Sequence, residues 1–282
     1  MNKVLVTGAN GFIGKYVSEE IRKRGLILLP FDGDIFTTNF DHYMQENRPD
    51  YLINLAWITG DGYSESPHNL LFVQKGIEMY LAFYRYGGKR AIYIGTEQEY
   101  ARTGKILTEG SAIAPTSLYA KCKADLADML VKASLNEKHG FVWGRLFFVY
   151  GAGEKSRRLM PSIINGLAAG ETVLCSHDSF VRDYIYVKDL AGAICHCLLS
   201  EYTGVVNLAG GRDTTIGEIA NIAHMLIGKG KVAFRSINEC EEQPAYVRGD
   251  ISLLEHIGWQ NSYTLEMGLK EEIAFLMGTA NE

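Results

Sequence analysis

Val4-Leu5-Val6-Thr7-Gly8-Ala9-Asn10-Gly11-Phe12-Ile13-Gly14 carries three signals in one short run. Val4 to Val6 is continuously apolar, which reads as a buried strand. Glycines follow at 8, 11 and 14. Ile13, Val17 and Ile21 then recur four apart, the apolar face of a helix. Strand, glycine turn and helix in that order form the context in which a glycine pattern points to dinucleotide binding. Gly8 permits the tight turn, Gly11 lets the backbone approach a pyrophosphate, and Gly14 lets the helix pack close to the strand. The N–H groups at the helix start, those of Phe12 and Ile13 among them, then face the phosphates with the positive end of the helix dipole behind them.

Working outward, Leu26 to Phe31 reads as a second strand, ending at Asp32, 18 residues past Gly14. A carboxylate there can accept hydrogen bonds from ribose hydroxyls and repels a 2′-phosphate, so it favours NAD and leaves NADP open. A turn aspartate in Asp32-Gly33-Asp34 is the plainer alternative. Residues 39–47 read as a short helix and Tyr51 to Leu55 as a strand, with Leu55 and Ala56 at its carboxyl end, where ligands bind in an open parallel sheet. Residues 68–86 form a long helical pattern, Ala91 to Ile94 the next strand, Ser117 to Ala133 another helix, and Phe141 to Val149 another strand. The alternation predicts an α/β fold, a Rossmann-type doubly wound parallel sheet with right-handed crossovers. Beyond residue 150 the spacing loosens. A dinucleotide-binding domain over 1–165, holding the catalytic helix, is expected to be followed over 166–282 by a smaller C-terminal substrate-binding lobe whose elements interleave with the sheet.

The 282 residues are 47% hydrophobic and 22% charged, with a formal charge of −5. That balance is globular and offers no basic footprint for nucleic acid or an anionic membrane. No apolar run approaches a membrane span, and with a strand starting near residue 3 no export signal is expected. The five cysteines are scattered and odd in number, which fits a reduced, cytoplasmic setting. The seven histidines include no i,i+4 pair, so no metal is expected.

The chemistry-bearing set lies further along. Tyr119 and Lys123 are one helical turn apart and share a face. An ammonium beside a phenol stabilises the phenolate. A phenol of ordinary pKa about 10 needs a fall of about three units, roughly 4 kcal/mol, to act as a base near neutrality. Thr96, 23 residues before Tyr119 and just past the fourth strand, offers a hydroxyl for the same substrate oxygen.

With these residues in place the sequence resembles the extended short-chain dehydrogenase/reductases that act on nucleotide sugars, the NAD-dependent epimerase/dehydratase family. The resemblance rests on Thr7 to Gly14, Asn54-Leu55-Ala56, Gly95 to Tyr100, Tyr119 with Lys123, Arg145 to Gly151, and Arg182 to Val187. It implies that Tyr119 exchanges a proton with the sugar oxygen, that Lys123 holds the nicotinamide ribose, and that Thr96 shares the substrate hydrogen bond. Arg182 matches the arginine that meets the nucleotide diphosphate, its alternative being a structural ion pair with Asp183 or another acid. Glu97, Gln98, Phe148 and Arg248 fall at substrate-facing positions. The departures narrow the chemistry. Thr96-Glu97-Gln98 stands where 4,6-dehydratases carry Thr-Asp-Glu, and glutamine cannot act as a base. Phe148 stands where an asparagine is common, which makes that wall apolar and suits a deoxygenated sugar. The expectation is a nucleoside-diphosphate sugar substrate reduced at C4 from a 4-keto-6-deoxy form, with 4-epimerisation on a retained NAD second and dehydration third. A dinucleotide-sensing protein without catalysis is the alternative of a different class, and the presence of Thr96, Tyr119 and Lys123 together argues against it. The helices over 68–86 and 117–133 are expected to pair across a two-fold axis in a homodimer.

Overall fold

The computed structural model describes residues 2–240 and 244–278. Strand β1 (Lys3–Thr7), helix α1 (Phe12–Lys23) and strand β2 (Ile27–Pro30) make the first βαβ unit. Helix α2 (Phe40–Asn47), strand β3 (Tyr51–Asn54), helix α3 (His68–Arg85) and strand β4 (Arg90–Ile94) continue the alternation. After a short strand β5 (Ile106–Leu107) come helix α4 (Leu118–Glu137), strand β6 (Gly140–Leu146) and strand β7 (Phe148–Tyr150). The rest is α5 (Leu159–Ala168), β8 (Thr172–Cys175), β9 (Val181–Arg182), β10 (Tyr184–Tyr186), α6 (Val187–Leu199), β11 (Gly204–Leu208), β12 (Thr214–Thr215), α7 (Ile216–Ile227), β13 (Lys231–Phe234), β14 (Tyr246–Gly249), α8 (Ser252–His256) and α9 (Leu265–Gly278).

The central sheet has six strands in the order β11-β6-β4-β3-β1-β2, all parallel. The chain leaves β1 towards β2 on one side and returns to β3 on the other, so the topological switch lies between the carboxyl ends of β1 and β3. Thr7 ties those ends together: its hydroxyl donates to Asn54 Oδ1 at 2.6 Å and accepts the N–H of Ala56 at 3.2 Å. One apolar layer joins α1 and α6 to the sheet through Val17, Ile21, Leu190 and Ile194. The opposite layer joins α2, α3 and α4 through Met44, Met79, Phe83, Leu126 and Leu130. Both faces of the sheet are covered, which is why its strands read as unbroken apolar runs.

The second lobe has its own core, with Ile163 and Ile164 of α5 packed against Ile216 and Ile219 of α7 and Leu269 of α9. Helix α6 packs on one face of the central sheet and β11 forms its edge beside β6. The run Phe141 to Val149, expected as one strand, is two. It breaks at Phe147, with β6 in the central sheet and β7 paired with β10 outside it. That break aims Phe148 at the second lobe. No helix among the described residues is long and apolar enough to cross a membrane.

Candidate active site

The glycine turn is built as its sequence predicts. Gly8 holds φ +71°, a conformation that side chains with a Cβ rarely adopt, and a Cβ at Gly14 would lie 2.1 Å from the Gly8 carbonyl oxygen. Helix α1 begins at Gly11 with no side-chain cap and no acid in its first turn. The N–H groups of Phe12, Ile13 and Gly14 therefore keep their donors for a ligand. This uncapped, glycine-cradled helix start fits a dinucleotide pyrophosphate. Leu55 and Ala56 lie across the switch point, and the Ala56 N–H is within 3.2 Å of where a Cβ on Gly8 would sit. Asp32 is exposed two residues past β2. The turn role belongs to Asp34 instead, which accepts the Phe36 N–H at 2.8 Å.

Thr96 follows β4 and opens a one-turn helix over Glu97–Glu99. Its hydroxyl accepts the Gln98 N–H at 3.3 Å, and its own N–H donates to Glu99 at 2.9 Å. Glu99 is completely buried. Besides Thr96, its carboxylate takes the indole N–H of Trp143 at 3.0 Å and the Arg145 guanidinium at 2.7 Å. Glu99 and Arg145 fall in the stretches that carry the family resemblance, but neither they nor Trp143 were given a role from sequence. The signal was present, because Thr-x-x-Glu ahead of a helical turn is a capping box. Glu97 is also buried and pairs with Arg102 at 2.5 Å. Burial raises its carboxyl above the ordinary range, against the pull of Arg102 and Arg182.

Tyr119 and Lys123 stand on α4, one turn apart, behind a Ser117 N-cap. The expected lowering of the phenol by the lysine is not found. Burial pushes Tyr119 well above the ordinary phenol range, and the Thr96 hydroxyl beside it opposes this only in part. The physical reason is geometric. Lys123 Nζ donates to the Ile94 carbonyl and lies 6.0 Å from the Tyr119 ring centroid, too far to outweigh desolvation. Lys123 is itself buried. Burial lowers its ammonium to about 7, with the Glu99 carboxylate opposing. Trp57 lies over that ammonium at 3.8 Å from the ring centroid.

Arg182 is buried without the ion pair that was its alternative reading. Asp183 turns away and accepts N–H groups of Gly210, Gly211 and Gly249 at 2.6, 3.0 and 2.9 Å. Burial raises Asp183 to about 7, those three donors opposing. The Arg182 guanidinium sits between the rings of Phe180 and Phe148, at 5.5 and 5.7 Å, and no carboxylate among the described residues pairs with it. Phe148 in turn packs on Tyr184 at 5.5 Å. Arg182 acts on the Glu97 carboxyl from this position, so Thr96, Glu97, Gln98, Phe148 and Arg182 form one neighbourhood. Arg248 does not join it. The β14–β9 register sets Val247 opposite Arg182. Strand alternation thus turns Arg248 to the other face, where it donates to the Gly211 carbonyl at 3.0 Å.

Comparison with known proteins agrees with this geometry. A profile of the NAD dependent epimerase/dehydratase family matches residues 4–209. GDP-L-fucose synthase 1 of Arabidopsis thaliana is 23% identical, over 95% of this chain and 91% of its own. A dTDP-6-deoxy-L-talose 4-dehydrogenase (NAD(+)) from Aggregatibacter actinomycetemcomitans is 23% identical over 76% of this chain and 86% of its own. Among solved structures, a UDP-glucose-4-epimerase of Stenotrophomonas maltophila with bound NAD and formylated UDP-arabinopyranose superposes with a TM-score of 0.87. It is 20% identical and covers 100% of this chain and 99% of its own.

Proposed function

This chain belongs to the NAD dependent epimerase/dehydratase family, and we propose that within it the chain reduces a nucleoside-diphosphate 4-keto-6-deoxy sugar at C4. The observation that carries this reading is the contact of Phe148 with Tyr184 and with the buried Arg182, whose guanidinium donates to the Val181 carbonyl and pairs with no carboxylate among the described residues. An apolar wall favours a sugar that has lost a hydroxyl, since a hydroxyl there would lose water without gaining a partner. A guanidinium with no carboxylate partner among the described residues favours the diphosphate.

The glycine turn and the start of α1 would hold the dinucleotide pyrophosphate, with Asp32 on the adenine-ribose hydroxyls. When bound, the reduced nicotinamide supplies a hydride. Thr96 donates a hydrogen bond to the sugar carbonyl oxygen, and Tyr119 gives that oxygen its proton. A phenol kept neutral by burial suits a proton donor. Lys123 would orient the nicotinamide ribose. Elimination of water is disfavoured, because Glu97 is held by Arg102 and Gln98 carries no titratable group. The relative whose name specifies 4-dehydrogenation of a dTDP-linked 6-deoxy sugar supports C4 as the reacting carbon.

The second reading is 4-epimerisation on a retained NAD, favoured by the Asp32 carboxylate, exposed just past β2. The test is to incubate purified protein with NADH or NADPH and a panel of nucleoside-diphosphate 4-keto-6-deoxyhexoses, following loss of the reduced-nicotinamide absorbance. Stoichiometric loss with one sugar is expected. Absence of any loss, with NAD co-purifying tightly, would overturn the reductase reading in favour of epimerisation.

A further inference from the structure

Asn69 lies in the first turn of α3, the helix packed beside the Tyr119 helix α4. Its side chain is completely buried, and both ends of its amide are engaged. Oδ1 accepts the indole N–H of Trp57 at 2.7 Å. Nδ2 donates to the carbonyls of Tyr63 at 2.7 Å and Ser66 at 2.8 Å. Flipping the amide would set donor against donor, so its orientation is determined. The two aromatic residues it tethers both meet Tyr119 edge-on, Tyr63 at 5.0 Å and Trp57 at 6.3 Å between ring centroids. Trp57 also stacks on Phe72 at 5.2 Å and covers the Lys123 ammonium. The segment that carries Trp57 and Tyr63 contains Gly60 and Gly62 at positive φ, so its path has little stiffness of its own.

We infer that Asn69 is a positioning residue: it locks Trp57 and Tyr63 against Tyr119 and Lys123, closing a dry aromatic slot around the proton donor and its lysine. This rests on the roles proposed above for Tyr119 and Lys123. An indole face attracts the ammonium and at the same time excludes water from it. The titratable groups facing Lys123 are Glu99, from the turn after β4, and Tyr119, from its own helix. With Trp57 held in place, Lys123 stays desolvated. With Trp57 untethered, water reaches the amine and its pKa returns towards the ordinary value of 10.5.

The titration of Lys123 reads this directly and needs no ligand. Protein labelled with 13C,15N-lysine is titrated by NMR, the Lys123 signal being assigned by its loss in Lys123→Met. Two variants cut the tether from opposite ends: Asn69→Ala, and Trp57→Phe, which keeps a ring on Phe72 and leaves α3 untouched. Both are expected to raise the Lys123 midpoint by about one pH unit or more, about tenfold in acid constant. An unchanged midpoint in both overturns the slot. A shift in Trp57→Phe alone overturns the role of Asn69, and a shift in Asn69→Ala alone overturns its action through Trp57. Should Asn69→Ala fail to fold, an unmoved midpoint in Trp57→Phe overturns the proposal and a raised one supports the tether. Because no substrate enters the measurement, a Tyr119→Phe enzyme that kept full turnover would sink the catalytic assignment and leave this result standing.

Discussion

Removing the Glu99 carboxylate should cost the fold more than any other single change near the site. Glu99 is fully buried and Arg145 nearly so, with 2.7 Å between the Arg145 Nε and the carboxylate. At that separation and an effective dielectric of about 20, the gross attraction is about 6 kcal/mol, and desolvation of both ions offsets much of it. Glu99→Gln leaves Arg145 buried and unpaired. Breaking a buried pair from one side costs about 3–5 kcal/mol. With a urea dependence of about 2–3 kcal/mol/M, the unfolding midpoint should fall by about 1–2 M. The assay is urea unfolding followed by tryptophan fluorescence, since Trp143 donates to the same carboxylate. A cycle with Arg145→Leu and Glu99→Leu should return a coupling of about 2–3 kcal/mol. In the doubly substituted protein much of the stability comes back, but the Thr96 N–H has lost its acceptor, so turnover should stay low. Single changes that add to within about 0.5 kcal/mol would show that Glu99 and Arg145 do not form the pair described.

Three further outcomes are expected. Tyr119→Phe should lower turnover by about 10²–10⁴-fold while NADH binding, read by its fluorescence, is unchanged; undiminished turnover would remove Tyr119 from the chemistry. Glu272 on α9 is buried with neither carboxyl oxygen hydrogen-bonded among the described residues, and burial, aided by the charge of Glu154, raises it to about 8. A carboxyl raised on folding contributes stability that is complete below its unfolded pKa, near 4.5. That contribution is lost as pH rises through about 8. Thermal melts across that range should therefore fall with pH in the native protein and less steeply in Glu272→Gln; parallel curves would contradict the assignment. Finally, Leu81 on α3 and Met129 on α4 are 53% and 43% exposed. Light scattering should report a dimer that Leu81→Glu weakens, and a monomeric native protein would show that these helices do not pair.

The legible parts of the fold were those with a local period. Helices α1 to α4 and strands β1 to β4 fall within a few residues of where spacing puts them, because each buries one face on the sheet and its sequence repeats accordingly. Short pieces such as β5, β12 and β14 carry no period and are strands only because a partner lies beside them. The break at Phe147 was hidden for a related reason, since an apolar run does not say which sheet it belongs to. At the site, the spacing of Tyr119 and Lys123 places them on one face of α4, but the direction of their titration depends on who surrounds them. Burial of Tyr119 outweighs the expected effect of the lysine on the phenol. Arg248 illustrates the period of two: one residue of register separates it from the face that holds Arg182. Asn69 offered no pattern at all, because its three partners come from a loop and a turn preceding its own helix.

The most direct test of the central claim follows one hydrogen atom. The protein is mixed with NADH carrying deuterium at the transferable C4 position and with the 4-keto-6-deoxy nucleotide sugar that consumes NADH, and the product is read by NMR and mass spectrometry. One deuterium at C4 of the sugar, with one NADH oxidised for each, is the predicted result. A product with no deuterium, formed without net oxidation of the dinucleotide, would contradict it.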